Sequence, residues 1–223
     1  MKFSLLGEQA VLMQADDASA STAATTSMDM QVQQRIWSMA HALQERRCCL
    51  EIVPGMNNLT VIYDAQLFSG ATMLALMRTS WDAAKIEEFC AREMCIPVVY
   101  GGQSGPDLEV VALHNRLEPE DVIRLHSEAV YTVYFLGFQP GFAYLGGLPA
   151  KLATPRRSEP RLQVPAGTVA IGGAQTGIYP QSSPGGWQLI GHSPVNLFDF
   201  KALPPNYLRP GDRLRFVVER IDG

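Results

Sequence analysis

The chain has little lysine: four residues, Lys2, Lys85, Lys151 and Lys201, against fourteen arginines. Its cationic chemistry is therefore that of the guanidinium, which suits planar, two-pronged recognition of carboxylates or phosphates. It also lacks an excess of positive charge. A net charge of −4 and a pI near 5.6 argue against a nucleic-acid or anionic-membrane surface, because those partners demand a basic field. Cysteine is sparse, and Cys48, Cys49, Cys90 and Cys95 form no CxxC pair. Adjacent Cys48 and Cys49 make poor joint ligands for one tetrahedral zinc, so idle thiols and no metal site are expected. No apolar run approaches the ~18 residues of a membrane span, and Phe3 to Leu6 is too short for a signal-peptide core. A cytoplasmic protein is the expectation. The motif absences are as telling. Without GxxxxGK[ST], or a GxGxxG opening a helix after a strand, a nucleotide has no conventional cradle; HExxH and GxSxG are missing too. No internal repeat is present.

What the chain does have is a window of glycine and proline. Of the nineteen glycines, eleven lie between residues 137 and 191, in GFQPGFAYLGGL, PRRSEPRLQVPAGTVAIGGAQTGIYP and SPGGWQLIGHSP. Both residue types disfavour helix interiors, so this stretch reads as turns, bulges and short strands whose backbone approaches something closely. At 47% apolar and 18% charged, the composition is otherwise that of an ordinary globular protein.

Before the window, Phe3 to Leu6 and Ala10 to Gln14 read as short strands, and residues 15 to 29 are a small, polar, low-complexity stretch expected to be a mobile loop. Val32, Ile36, Ala40 and Leu43 fall at helical spacing, with Arg46 and Arg47 near the end favouring the helix dipole. Leu50 to Val53 and LTVIYD pair across PGMNN as a hairpin. Residues 69 to 92 repeat a helical pattern through Met73, Leu76, Met77, Trp81 and Phe89, and IPVVY at 96 to 100 is strand-like. The order reads β-α-β-β-α-β, a ferredoxin-like domain over roughly residues 1 to 93. Beyond YGGQSGPDL, Leu108 to His114 and EPEDVIRLHSE form two short helices. YTVYFLGF, TVAIGG, WQLIGH, NLFDF and DRLRFVVER then read as strands between Gly and Pro clusters, a closed or nearly closed β-barrel over 94 to 223.

Candidate site residues cluster in the window. Arg156, Arg157 and Arg161 sit in the proline-ruled PRRSEPR, which presents them on a stiff backbone as an anion clamp requires; a solvated loop with weak ion pairs is the plainer alternative. Gln175, Tyr179 and Trp187 lie among glycines where donors and stacking faces can line a pocket, or else plug the barrel ends. His192 ends a strand before Ser193-Pro194, a place from which an imidazole can face a cavity as acid, base or donor, or cap a turn. His126 closes an acidic helix, where a cation suits the dipole. His41 and His114 have no motif partners and read as structural.

Taken together, VPGMNNLTV, YGGQSGPDL, VYFLGFQPGFAYLGGL, TPRRSEPR, VPAGTVAIGGAQTGIYP, SPGGWQLIGHSP and LRPGDRLRF resemble the B subunit of bacterial 5-oxoprolinase. That family also includes an inhibitor of a sporulation histidine kinase and proteins described as allophanate hydrolase subunit 1. The resemblance covers essentially everything beyond residue 30. It implies an α+β chain, with a ferredoxin-like N-terminal domain followed by a cyclophilin-like β-barrel. It also implies partners, the C and A subunits of the same enzyme, and a joint reaction in which 5-oxo-L-proline is opened to L-glutamate with ATP hydrolysis. ATP, with Mg2+, is then a co-substrate rather than a resident cofactor. His192-Ser193 departs from the Arg-Thr of relatives, exchanging a permanent cation for a titratable ring. Under this reading His192, Tyr179 and Gln175 are candidate catalytic groups, and Arg156, Arg157, Arg161, Trp187 and His126 candidate substrate or phosphate ligands. The rival readings are a kinase-inhibiting binding module and part of an enzyme for allophanate or another amide.

Overall fold

A computed structural model describes residues 1–15, 30–86 and 91–223. They divide into two compact units, Met1–Cys90 and Ala91–Gly223. The polar stretch 15 to 29 lies, apart from Ala15, outside the described residues, as do Phe89 and Cys90.

The first unit contains β1 (Lys2–Leu6), β2 (Ala10–Gln14), α1 (Met30–Gln44), β3 (Cys49–Gly55), β4 (Asn58–Tyr63) and α2 (Gly70–Ala83). Its sheet runs β1-β2-β4-β3 with every pairing antiparallel. Alternation decides the buried face: Val11 and Met13 from β2, and Leu59, Val61 and Tyr63 from β4, pack against Ile36, Met39 and Leu43 of α1 and Met73 and Met77 of α2. Each such side chain contributes roughly 1.5–3 kcal/mol on burial. The fourth strand of this sheet is not the expected 96 to 100 but the N-terminal β1. β2 and β3 flank β4 and are joined through α1, so the observed order is β-β-α-β-β-α. The α2 helix also stops short of the expected 92. Arg35 Nε donates to the Ala84 carbonyl at 3.0 Å and its guanidinium lies 4.0 Å from the Trp81 ring centroid, which holds Ala84 extended and ends the helix.

The second unit contains β5 (Glu93–Gly101), α3 (Leu108–Asn115), α4 (Pro119–Glu128), β6 (Tyr131–Leu136), β7 (Ala143–Gly146), β8 (Arg161–Val164), β9 (Thr168–Gly172), β10 (Gln175–Ile178), β11 (Ser183–Gly185), β12 (Gln188–His192) and β13 (Arg213–Asp222). Seven strands close into a barrel in the order β10-β7-β6-β13-β5-β12-β9, and β8 and β11 form a separate two-stranded ribbon. The segment 96 to 100 belongs here because β13 offers it a parallel partner from Arg213↔Glu93 to Asp222↔Gly101. Ile96, Val98 and Tyr100 then face the barrel core. Arg92 holds the start of β13 through a two-pronged pair with Asp212, whose Oδ2 also accepts from Arg209 N at 2.7 Å. NLFDF does not form a strand. Asn196 Oδ1 takes Phe198 N and Asp199 Oδ1 takes Lys201 N, so side chains satisfy the backbone that a sheet would otherwise have used.

Candidate functional site

The glycine window is explained by close approaches. Gly167 has φ +81°, and a Cβ there would lie 2.4 Å from the Ser193 carbonyl oxygen and 2.5 Å from His192 Nε2. A Cβ on Gly172 would enter the Trp187 ring at 2.5 Å. Backbone bonds knit these turns together: Gly167 N donates to Tyr179 O and Ser193 N to Gly167 O. Neither Tyr179 nor Trp187 lines the two clefts that hold the arginines. They are buried with Phe142, Val164, Ala170 and Leu189 in a second small core, with Phe142 edge-on to both rings. Burial raises the Tyr179 phenol; a bond from Trp187 N–H and the charges of Arg156 and Arg161 pull the other way.

The three arginines do not form one clamp. Arg161 and His192 share a cleft of about 350 Å³ with Gln103, Ser104, Gln163 and Thr168. Arg156 and Arg157 line another, of about 420 Å³, with His114, Thr154, Ser158 and Gln188. What joins them is Asp107, which sequence reasoning passed over. Its Oδ1 accepts from Arg161 Nη2 at 2.8 Å and lies 3.4 Å from Arg157 Nη1, while Oδ2 accepts from Leu189 N at 2.7 Å. Its place as the one acid in YGGQSGPDL, a turn otherwise of small and neutral residues, was the available signal. A single carboxylate shared by two guanidiniums leaves a net positive charge. Arg161 Nη1 is moreover buried without a hydrogen-bond partner among the described residues.

The remaining candidates separate. His192 Nε2 donates to the Ala166 carbonyl at 3.1 Å, which leaves Nδ1 as the ring atom not used there. Gln175 begins β10 on the face shared with Gly177, toward the Trp187 core, and lines neither cleft. His126 is a correction. Rather than meeting solvent or an anion at the end of α4, it is fully buried in the barrel core, its ring stacked on Phe216 at 4.4 Å. Thr176 Oγ1 donates to the Ala170 carbonyl, so it accepts from His126 Nε2 at 3.0 Å, and Nδ1 must accept from the Tyr100 hydroxyl at 2.7 Å. That fixes a neutral ring, and burial lowers its pKa to about 3. No phosphate reaches it.

Comparison with known proteins places this architecture. The family described as carboxyltransferase domain, subdomain C and D, matches residues 1–208. The 5-oxoprolinase B subunit of Escherichia coli O157:H7 is 47% identical over 216 residues, which are 97% of this chain and 95% of that protein. The chain belongs to the family of 5-oxoprolinase B subunits. Among solved structures similar to this family member is TTHA0988, with a TM-score of 0.79 and 35% identity. The match covers 97% of this chain but 40% of that one, so the chain spans well under half of TTHA0988. The urea amidolyase of K. lactis matches with a TM-score of 0.80 at 17% identity, over 98% of this chain and 15% of that one, a likeness of fold alone. No described helix is long and apolar enough to cross a membrane.

Proposed function

We infer that this chain is one component of an ATP-dependent 5-oxoprolinase, which opens 5-oxo-L-proline to L-glutamate. The observation that carries this reading is its near full-length identity to a 5-oxoprolinase B subunit. A lactam resists water, so the expected chemistry transfers a phosphoryl group to the carbonyl oxygen before hydrolysis, and cations and donors must face a developing negative charge. Arg161 is the residue best suited to take the substrate carboxylate in the cleft it shares with His192: its Nη2 is fixed by Asp107, which sets the orientation of the planar fork. His192 supports the same cleft with Nδ1, the ring atom that Ala166 leaves unused. Tyr179 acts from beneath by holding Gly167 in place, and Trp187 and Gln175 belong to that supporting layer.

Mg2+ is assigned to the arriving nucleotide, whose phosphate oxygens suit it. The absence of a phosphate-binding loop assigns completion of the site to the C subunit of the enzyme, bound directly, with the A subunit as the third component. Unit 91–223 corresponds to the cyclophilin-like barrel of this reading. The first unit corresponds to a ferredoxin-like sandwich in which the edge strand comes from the chain's start instead of its end. The test is reconstitution. The chain mixed with the A and C subunits should hydrolyse ATP only when 5-oxoproline is present, and the chain alone should not. Coupled turnover by the single chain would overturn the shared site.

A further inference from the structure

The cleft lined by Arg156, Arg157 and Gln188 has no part in the site proposed for the lactam. We propose that it binds phosphate, and that it selects the protonated oxyanion through Gln188.

Positive charge is the first requirement. Asp107 is shared between Arg157 and Arg161, and Arg157 holds only the longer contact, 3.4 Å against 2.8 Å. Arg156 has no ion pair among the described residues; its guanidinium lies 5.8 Å from the Trp187 ring centroid. Two neighbouring guanidiniums on a proline-bounded segment, Pro155 to Pro160, line a cleft of about 420 Å³ together with Ser158. Arg157 N also donates to Gly186 O at 2.7 Å, so the segment carrying both arginines is anchored. Such a pair is arranged for an oxyanion of more than one charge.

Gln188 narrows the choice. It is 6% exposed, and its Nε2 donates to the Pro155 carbonyl at 2.9 Å. A carbonyl can only accept, so the amide cannot be turned over, and Oε1 is the atom directed elsewhere. That Oε1 is buried with no hydrogen-bond partner among the described residues, on a side chain that lines the cleft. A buried acceptor left unmet calls for a donor. Near neutral pH, phosphate carries a P–O–H that can donate to Oε1 while its other oxygens accept from Arg156 and Arg157. Sulfate has the same shape and no proton to give. The ligand is thus inorganic phosphate, which keeps a P–O–H through neutral pH where a monoester has mostly lost its own, in a pocket that disfavours sulfate. The assignment rests on the reading above only in making phosphate, a product of ATP hydrolysis, the physiological ligand.

The experiment is titration calorimetry of the full chain with inorganic phosphate, then with sulfate at equal ionic strength, and with a simple monoester such as glycerol phosphate. Phosphate should bind roughly tenfold or more tightly than sulfate. Arg156→Ala, an exposed change, should weaken phosphate by about tenfold or more. Gln188→Met should remove the preference, so that the two anions bind alike; its melting temperature serves as the folding control. His192→Ala, in the other cleft, should leave phosphate affinity within about twofold. The monoester, mostly without a P–O–H near neutral pH, should bind more weakly than the free ion, and tighter binding of the monoester overturns selection through Gln188. Equal affinity of the parent for phosphate and sulfate, or unchanged phosphate binding in Arg156→Ala, overturns the site. Because these readouts need neither ATP nor the A and C subunits, failure of reconstituted 5-oxoprolinase activity would leave them standing, and their failure would leave that activity untouched.

Discussion

Two places where this chain buries polar groups are organised in opposite ways. Inside the barrel, around His126, every polar atom of the ring is used: Tyr100 supplies a donor, Thr176 an acceptor, and Phe216 a stacking face. Beneath the 155–161 segment, one carboxylate serves two arginines, and Arg161 Nη1 and Gln188 Oε1 remain unmet among the described residues. A saturated network in a low-dielectric core fixes one structure, whereas an unsaturated one at a cleft retains free energy that a ligand can recover. The lesson is that a histidine or arginine is not a site residue by type; what matters is whether its neighbours have already used it.

The saturated network is where the contrast is most exposed to test. His126→Ala would leave the Tyr100 hydroxyl without its acceptor and a void beside Phe216, so denaturant unfolding should show a loss of about 3–5 kcal/mol. A loss below about 1 kcal/mol would mean that the barrel network is ornamental. Next comes its pH signature. With the ring held at about 3 in the folded chain and near its ordinary ~6.5 when unfolded, protons bind the unfolded state preferentially. The neutral ring's contribution is complete above pH ~6.5 and is lost as pH falls toward 3, at about 1.4 kcal/mol per unit. His126→Gln should flatten that limb of the stability profile between about pH 6 and 4; an unaltered slope would show that the ring is protonated without penalty.

At the cleft, Arg161→Lys keeps the charge but loses the fork. Turnover in the reconstituted complex should fall by roughly 10- to 100-fold, while the melting temperature and assembly survive. Retained turnover would remove Arg161 from substrate binding. The smallest effect is expected of His192→Arg, which keeps a nitrogen donor in the cleft: activity should stay within a few-fold. Severe loss in this variant would instead identify a proton-transfer role, since arginine makes a poor base.

Much of the local structure was legible. The apolar periodicities of α1 and α2, the hairpin around PGMNN and the α4 start at Pro119 follow directly from residue type and spacing. The destination of IPVVY was not. An apolar strand states that it is buried, but not against which partner, and only the nine residue pairs from Arg213↔Glu93 to Asp222↔Gly101 assign it to the barrel. NLFDF misled for the reverse reason: apolar residues suggested a strand, while Asn196 and Asp199 bind their own backbone. Within the site, the clamp-like content of PRRSEPR was visible, but its partition into two clefts depends on Asp107, fifty residues from Arg157 along the chain.

Residue order is enough to establish the family, through long ordered motifs, and the presence of a glycine-ruled, arginine-bearing surface with no conventional nucleotide cradle. These are properties of composition and order, and they need no coordinates. It took the folded chain to settle that His126 is neutral and enclosed, that Asp107 is shared by two arginines, and that Gln188 has an acceptor unmet. Each depends on which distant groups face one another across less than about 4 Å, the range within which a hydrogen bond or ion pair takes its strength.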